Sequence, residues 1–507
     1  MKRNLILNMI LVLSISISFA QEKILKLASE SIKADELKEM LYIYSSDEFG
    51  GRGTPSKGQD LATNFLVNRY KKIGVKPLQK NNYFQEVKLQ FDDKPSVKIS
   101  VNGKKFEYYK EFISYNNGPN VKYDSMEIVF VGYGIDDPLY SDYEDVDVNG
   151  KVVIALAGEP SNNEGGYIIN GDKKSNWSNG REELRSKKRA AEKNGALSLI
   201  LLNDYLFNRY SYEHRSSDQG MSEKRMSLRD NSNDAAHVLL FPTRFSDFFS
   251  QQKLMLDMDF EANFEPFGAN NVIAYIEGSE FPDEYIILTA HLDHVGIQNG
   301  EIYNGADDDG SGTIGILEIA EAFSKAKKAG YGPKRSIVFL HVTAEERGLL
   351  GSQYYVDYDP LVPVEQTMVN LNIDMIGRTD PNRGIRNINY IYIIGSDILS
   401  NDLHEVNKNA NENHVGLELD YRYNDPTYPV FESGRTIENQ YYYRSDHYHF
   451  AKNNVPVIFF FSGTHVDYHQ PTDTAEKILY DLYEKRTKLI FHTAWDLANR
   501  KEKIKLK

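Results

Sequence analysis

The sequence predicts an α/β fold in which a mostly parallel or mixed sheet is flanked by helices and interrupted by a β-rich insertion. From Asn271 onward, short apolar runs alternate with segments of helical periodicity, which is typical of strands joined by crossover helices. Between about 91 and 267, strand-like runs are separated by loops rich in Asn, Ser, Asp and Gly. The length of 507 residues suggests roughly two to three folding units.

The first twenty residues predict an export signal. Lys2 and Arg3 precede an apolar run that ends in the small residues before and at Ala20. This pattern is typical of a secretory signal cleaved near Ala20, so the mature protein is expected in a periplasm or outside the cell. A membrane anchor is the alternative, but the run is short and interrupted by Ser14 and Ser16.

The composition excludes several classes of partner. The net charge of −14, which becomes −16 when Lys2 and Arg3 leave with the signal, argues against nucleic acid binding. The sequence has no cysteine, so disulfides and lipid attachment through an N-terminal Cys are impossible. No later segment is long and apolar enough to span a bilayer, and a stable membrane anchor is not expected. The prediction leaves the number of subunits open.

The two flanks of the insertion are predicted to form one discontinuous domain, 21–90 with 268–507. Residues 36–75 have the spacing of two helices around the turn FGGRGTPSKG, but 21–90 alone holds too few strands for a core. Further helices are predicted for TIGILEIAEAFSKAKK and for TAEKILYDLYEKRTKLIFHTAWDLANR, and one basic helix, ELRSKKRAAEKNGA, lies within the insertion 91–267.

Metal-seeking side chains follow three apolar runs that read as strands. YIILTA is followed by His291 and Asp293, SIVFLHVTA by Glu345 and Glu346, and TMVNLNI by Asp374. A glycine-rich loop with three consecutive Asp residues, 304–312, comes between the first two runs. Ligands of open α/β sheets bind beyond the carboxyl ends of the strands, so these side chains are expected to share one edge.

This set of residues suits a hydrolytic pair of divalent metal ions. Such a pair needs nitrogen and carboxylate ligands, an oxygen bridge and a nearby base. His291 is expected to bind one ion with Asp293 behind it, and one Asp of 307–309 to bridge both ions. Glu346 and Asp374 are expected to complete the ligand shells.

The adjacent Glu345 suits a general base. Mixed imidazole and carboxylate ligands favour zinc, although manganese or cobalt stays open.

The strings TAHLDHVG, NGADDDGSG, TAEERGLLGS, NIDMIGR and DYHQPTDT resemble peptidase family M28, the zinc aminopeptidases. The resemblance covers about 36–88 and 270–490, and it implies the zinc-exopeptidase type of α/β fold. The middle segment resembles the protease-associated (PA) domain that is inserted in many of these enzymes. That likeness rests on VFVGYGI, DYEDVDVNGKVVIALAG and KRAAEKNGALSLILLN.

The resemblance implies two zinc ions per chain. It makes Asp308 the bridging acid, and it places Asp374 with His291 on the first ion. It pairs His469 with Glu346 on the second ion.

Glu345 becomes the base and Asp293 the residue that orients His291. His465 and His294 are rivals for the histidine roles, while the context YHQPTDT favours His469.

The resemblance also implies an exopeptidase that removes N-terminal residues from peptides, and the signal makes it an exported one. Tyr442 is the expected tyrosine near the oxyanion. Arg378 and Arg444 are the residues that could bind a terminal carboxylate, which keeps a carboxypeptidase of the same family open. A glutaminyl-cyclase-like acyltransferase with one zinc, a binding protein with an inactive site and an adhesion module are the further alternatives.

Overall fold

The computed structural model describes residues 22–507 except 116–117, 164, 219–223, 230–235, 252, 384–386 and 433–434. The predicted export signal, 1–20, lies outside the described residues. The chain divides into two compact units, one built from the chain up to Val87 and from Gly268 onward, the other from Lys88–Phe267. No helix of the described part is long and apolar enough to cross a membrane.

The first unit is built on a mixed sheet whose main strands we label in chain order. They are β1 Phe264–Ile276, β2 Phe281–His291, β3 Arg335–Val342, β4 Thr367–Ile373, β5 Tyr390–Ile394, β6 Glu418–Asp420 and β7 Val457–Phe461. Their order in the sheet is β1-β3-β2-β4-β7-β5-β6. The central strands β3, β2, β4 and β7 are parallel, whereas β1 and β5 run antiparallel to their neighbours β3 and β7.

Helices cover this sheet, so the predicted α/β fold is confirmed. The long helices of this unit are α1 Ala34–Tyr44, α2 Lys57–Ile73, α3 Gly312–Lys328, α4 Asn401–His414 and α5 Tyr480–Asn499. Helix α2 shows why its ends fall where they do. The Ser56 hydroxyl accepts a hydrogen bond from the N–H of Gln59, and Gly74 ends the helix with a φ of 77°.

Both faces of the sheet are buried. Ile286 and Leu288 of β2 point into the core that the helices form, while Ile287 points into a second core on the opposite face. Successive side chains of a strand point to opposite faces, so a strand covered on both sides becomes a continuous apolar run. This explains why YIILTA, SIVFLHV and VIFFF lack polar alternation.

The last helix begins later than its sequence predicts. The run TAEKIL looks helical, but Ala475–Lys477 forms a single 3-10 turn and α5 starts at Tyr480. The N–H of Leu479 donates to the carbonyl of Gly377 at 2.9 Å, a tertiary contact that holds this segment outside the helix.

The second unit has its own sheet and two cores. Its strand order is Lys104–Lys105, Ser96–Val101, Leu254–Glu261, Val121–Phe130, Val152–Leu156, Ser198–Leu202, His237–Phe241 and Ile113–Ser114. The helices Gly180–Lys193 and Asp204–Asp218 pack on one face through Leu184 and Leu206. The predicted basic helix is thus present. Within the second unit, Phe91 of the strand Phe84–Asp92 also pairs with Met226 of the short strand Met226–Leu228.

Candidate metal centre

The carboxyl ends of the parallel strands bring the predicted residues to one edge of the sheet. His291 is the last residue of β2, and Asp374 directly follows β4. Glu345 and Glu346 follow β3, and His469 lies in the loop after β7. A cavity of about 40 Å³ opens at this edge. Its lining comprises His291, Asp308, Glu345, Glu346, Asp374, Met375, Tyr441, Arg444, Phe459, Phe461, Thr464, Tyr468 and His469.

Two clusters of side chains share the carboxylate of Asp308. Its Oδ1 lies 3.2 Å from Nε2 of His291, which in turn is 3.7 Å from Oδ1 of Asp374. Its Oδ2 lies 3.1 Å from Nε2 of His469, which is also 3.1 Å from Oε2 of Glu346. Each oxygen of Asp308 therefore faces a different imidazole.

Unpartnered atoms in the second cluster fit a bound cation. Oδ2 of Asp308, Oε1 of Glu346 and Nε2 of His469 are buried and hydrogen-bond to no residue in the described part of the chain. Burying such atoms without partners is costly. Nitrogen and carboxylate oxygen are the ligands that zinc takes in proteins, so the donor set fits zinc.

His294, which the sequence left as a rival, joins the second cluster. Its Nδ1 lies 2.8 Å from Oε1 of Glu346 and 3.7 Å from Oδ2 of Asp308. The structure therefore brings His294 and His469 to the same two acids. The string HLDH is the sequence feature that indicates His294, which lies three residues after His291.

His465, the other rival, lies apart from both clusters. Its Nε2 is 3.2 Å from Oδ2 of Asp307, the first acid of the triplet. The other oxygen of Asp307 accepts hydrogen bonds from the N–H of Gly377 at 2.6 Å and from Oγ of Ser311 at 2.9 Å. Asp307 thus joins three segments behind the centre.

Asp309, the last acid of the triplet, organises main chain. Its carboxylate accepts from the N–H groups of His291 at 3.1 Å, Gly312 at 2.9 Å and Met375 at 3.2 Å. Burial and the nearby charge of Asp374 raise the pKa of Asp309, which the charge of His291 opposes. The three consecutive acids therefore have three different environments.

Arg52 and Asp473 hold the glycine-rich loop, and neither was expected from the sequence. The buried guanidinium of Arg52 donates to the carbonyls of Asn304 at 2.6 Å and Gly305 at 2.8 Å. Oδ2 of Asp473 accepts from the N–H groups of Asp307 at 3.0 Å and Asp308 at 3.2 Å. Arg52 stands in the turn FGGRG with a φ of 52°, and only this tight turn marks it in the sequence.

Asp293 contacts its neighbours differently from the expectation. Nδ1 of His291 lies 3.0 Å from the main-chain oxygen of Asp293 rather than from its carboxylate. The carboxylate instead accepts from the N–H of Glu345 at 3.1 Å. Main-chain geometry decides this, because residue 293 has left the strand and its carbonyl faces the imidazole. Asp293 thus links the ends of β2 and β3.

Glu345 is suited to carry a proton. Burial raises the pKa of its carboxyl well above the usual range; the charges of Glu346, Asp446 and Asp374 act in the same direction, and that of His291 opposes it. Oε2 of Glu345 lies 4.0 Å from Nε2 of His291. The side chain lines the cavity beside both clusters.

Asp374 is fixed by the string RSDH. Oγ of Ser445 donates to Oδ2 of Asp374 at 2.8 Å and accepts from Nδ2 of Asn372 at 2.8 Å. Oδ1 of Asp374 is the oxygen that faces His291.

A family model matches the part of the chain that holds both clusters. The model of peptidase family M28 matches residues 271–494, the segment that contains β2 to β7 and both clusters. This segment belongs to peptidase family M28. Its strand ends supply the shared edge described above.

Relatives of the M28 segment include enzymes named for opposite ends of a peptide. A probable glutamate carboxypeptidase of Arabidopsis thaliana is 38% identical over 104 residues, 20% of this chain and 14% of that protein. A probable leucine aminopeptidase of Aspergillus oryzae is 40% identical over 106 residues, 21% of this chain and 19% of that protein. The chain thus spans less than a fifth of the length of either relative.

One solved structure aligns with most of the length of this chain. The zinc aminopeptidase from Bacillus subtilis aligns with a TM-score of 0.47 and 18% identity. The alignment covers 94% of this chain and 97% of that chain.

Of the predicted substrate-binding residues, only Arg444 lines the cavity of the M28 segment. Arg378 donates to Oδ2 of Asp467 at 2.9 Å. Tyr442 is not part of the lining, and its ring lies 5.7 Å from that of His447. The structure thus places Tyr442 beside Gly395 and His447, because the first of the three consecutive tyrosines, not the second, turns toward the cavity.

Aromatic rings that the sequence did not single out form the wall of the cavity. Tyr441 and Tyr468 line it together with Phe459 and Phe461. The hydroxyl of Tyr441 lies 2.8 Å from Oγ1 of Thr464, and the ring of Tyr468 stacks on His469 at 3.9 Å. Tyr441 precedes Tyr442 in the run of tyrosines, and Tyr468 precedes His469.

Proposed function

We propose that this protein is a zinc exopeptidase that uses two zinc ions per chain to hydrolyse peptides. The observation that carries the proposal is Asp308, whose two oxygens face different imidazoles. His291 and Asp374 would hold the first ion, and Glu346 with His469 and His294 the second. Paired clusters favour this function over an acyltransferase with one zinc.

Zinc held by these side chains would supply Lewis acidity, which lowers the pKa of water and polarises a carbonyl. Glu345 accepts the proton of the attacking water and returns it to the leaving amine. Asp293 positions Glu345 by binding its N–H. The hydroxyl of Tyr441 or Tyr468 supplies a donor for the developing oxyanion.

Replacing His469 by Ala is expected to remove one zinc per chain, whereas His465→Ala keeps both. Nε2 of His469 faces two predicted ligands, while that of His465 faces Asp307. Metal content of the purified variants by mass spectrometry measures this. His294→Ala serves as the comparison, and it should weaken the same ion. Loss of zinc from His465→Ala alone would contradict the assignment.

We propose cleavage at the amino end, because acids near the ions can bind the free ammonium of a peptide. Arg378, one of the two arginines considered for a terminal carboxylate, is paired with Asp467. Arg444 favours the second candidate, a carboxypeptidase, because it lines the cavity. Its guanidinium could bind a carboxylate through a bidentate pair of hydrogen bonds.

Blocked peptides separate these two functions. A peptide with an acetylated amino end should be cleaved at least about a hundredfold more slowly than its free-amine form, because the acids lose their partner. A peptide with an amidated carboxyl end should be cleaved at the normal rate. Arg444→Met should leave that rate within about threefold. The reverse selectivity, abolished by Arg444→Met, would establish the carboxypeptidase.

The unit Lys88–Phe267 is proposed to be a PA-like insertion. The predicted ligands and Glu345 all lie in the M28 segment, so this unit supplies none of them. We also propose that the first twenty residues are an export signal that is cleaved near Ala20. N-terminal sequencing of the secreted or periplasmic protein tests this cleavage site.

A further inference from the structure

A third group of converging carboxylates lies away from the metal centre, between helices α1 and α3. Glu318 and Glu321 stand one turn apart on α3, and Glu36 is in the first turn of α1. Each of the three offers an oxygen within 4.8 Å of the others. None of these three residues belongs to the proposed catalytic centre.

Glu318 distinguishes this group from an ordinary acidic surface. Its side chain is 1% exposed, and neither of its carboxylate oxygens hydrogen-bonds to any described residue. Burial, together with the charges of Glu321 and Glu36, raises the pKa of Glu318 to about 8. A carboxyl group that is buried, unpartnered and next to two others ionises readily only when a positive charge lies beside it.

Two neighbouring lysines pair with Glu321 and Glu36, and neither of them pairs with Glu318. Nζ of Lys325 lies 3.0 Å from Oε1 of Glu321. Nζ of Lys33 is 3.9 Å from Oε1 of Glu36. No ion pair among the described residues includes Glu318, and Lys325 and Arg69 affect its carboxyl only from a distance.

We propose that Glu36, Glu318 and Glu321 bind a divalent cation of the calcium type. The protein ligands are oxygens alone, which suits hard cations and not zinc. A cavity of about 410 Å³ adjoins the group and leaves room for water to complete the shell. Glu36 and Glu321 line it together with the cationic side chains of Arg69, Lys72, Lys325 and Lys328. Calcium accepts six to eight oxygens in irregular geometry, whereas magnesium demands a near-ideal octahedron.

The site connects two helices that serve the metal centre. Helix α3 begins at Gly312, directly after the loop that carries Asp308. Tyr44 ends helix α1, and its hydroxyl donates to the carbonyl of Leu292 beside the first cluster. A cation between Glu36 and Glu318 therefore ties α1 to α3, and its role is to stabilise the fold around the centre.

Calcium binding by the full-length, zinc-loaded protein tests the proposal. Equilibrium dialysis with radioactive calcium should find one calcium per chain, with a Kd at or below about 1 mM. Saturating calcium should raise Tm by several degrees, since the ion binds the folded state alone. Glu321→Gln, at a partly exposed position, and Glu318→Gln should each weaken binding at least tenfold.

Glu39→Gln is the matched control. Glu39 lines the same cavity but does not belong to the group of three, so this variant should bind calcium as the unaltered protein does. Peptidase activity is not the readout, so the result stands whatever the catalytic function.

No calcium binding by the unaltered protein would overturn the proposal and make Glu318 a neutral buried acid. Equal binding by all four proteins would place the calcium elsewhere and also overturn it. If Glu318→Gln fails to fold, Glu321→Gln and Glu36→Gln decide.

Discussion

Glu345→Gln is expected to lower turnover at least about a hundredfold while both zinc ions stay bound. The amide keeps the size of the side chain but cannot accept a proton. The hydrogen bond from the main-chain N–H of residue 345 to Asp293 is also kept. The predicted zinc ligand is the neighbouring residue, Glu346, and not Glu345. The metal content should therefore not change. Steady-state kinetics with a free-amine peptide, together with metal analysis, measures both quantities.

Glu346→Gln is the matched control for this variant. Glu346 faces His469 and His294, so its substitution should reduce occupancy of the second ion first and activity as a consequence. Added zinc should restore part of the activity of Glu346→Gln and none of that of Glu345→Gln. A Glu345→Gln protein that lacks zinc yet keeps a high residual rate would show that the two roles are exchanged.

Asp308→Ala is expected to remove both zinc ions and to lower activity at least about a thousandfold. One carboxylate contacts His291 and His469 through different oxygens, so both clusters lose a ligand in a single substitution. Metal content per chain should fall from two to well below one after dialysis against metal-free buffer. A variant that loses only one ion would show that Asp308 does not bridge.

Asp307→Ala should behave in the opposite way. It leaves the N–H of Gly377 and the imidazole of His465 without their partner, which costs about 1–3 kcal/mol per buried group. The free energy of unfolding should therefore fall while the metal content stays near two per chain. Equal loss of zinc from Asp307→Ala and Asp308→Ala would contradict the different roles of the two acids.

The positions of strands and helices could be predicted from the sequence because they depend on local periodicity. Runs such as YIILTA and VPVIFFF are apolar throughout, since both faces of the sheet are covered, and the spacing of α2 and α3 is helical. The sheet edge that the metal-seeking side chains share could also be predicted, because parallel strands end on the same side. The pattern of strand ends therefore predicts that His291, Glu345 and Asp374 lie together.

The sequence by itself thus determined the α/β class, the edge of the sheet that carries the centre and the residue types collected there. Only the tertiary structure decided which acid of the triplet faces the cavity, that His294 joins the second cluster and that His465 does not. Only the tertiary structure shows that Arg52 contacts the glycine-rich loop and that Arg378 contacts Asp467. The physical reason is that periodicity reports which face a residue occupies, whereas these contacts join segments that are distant in the chain.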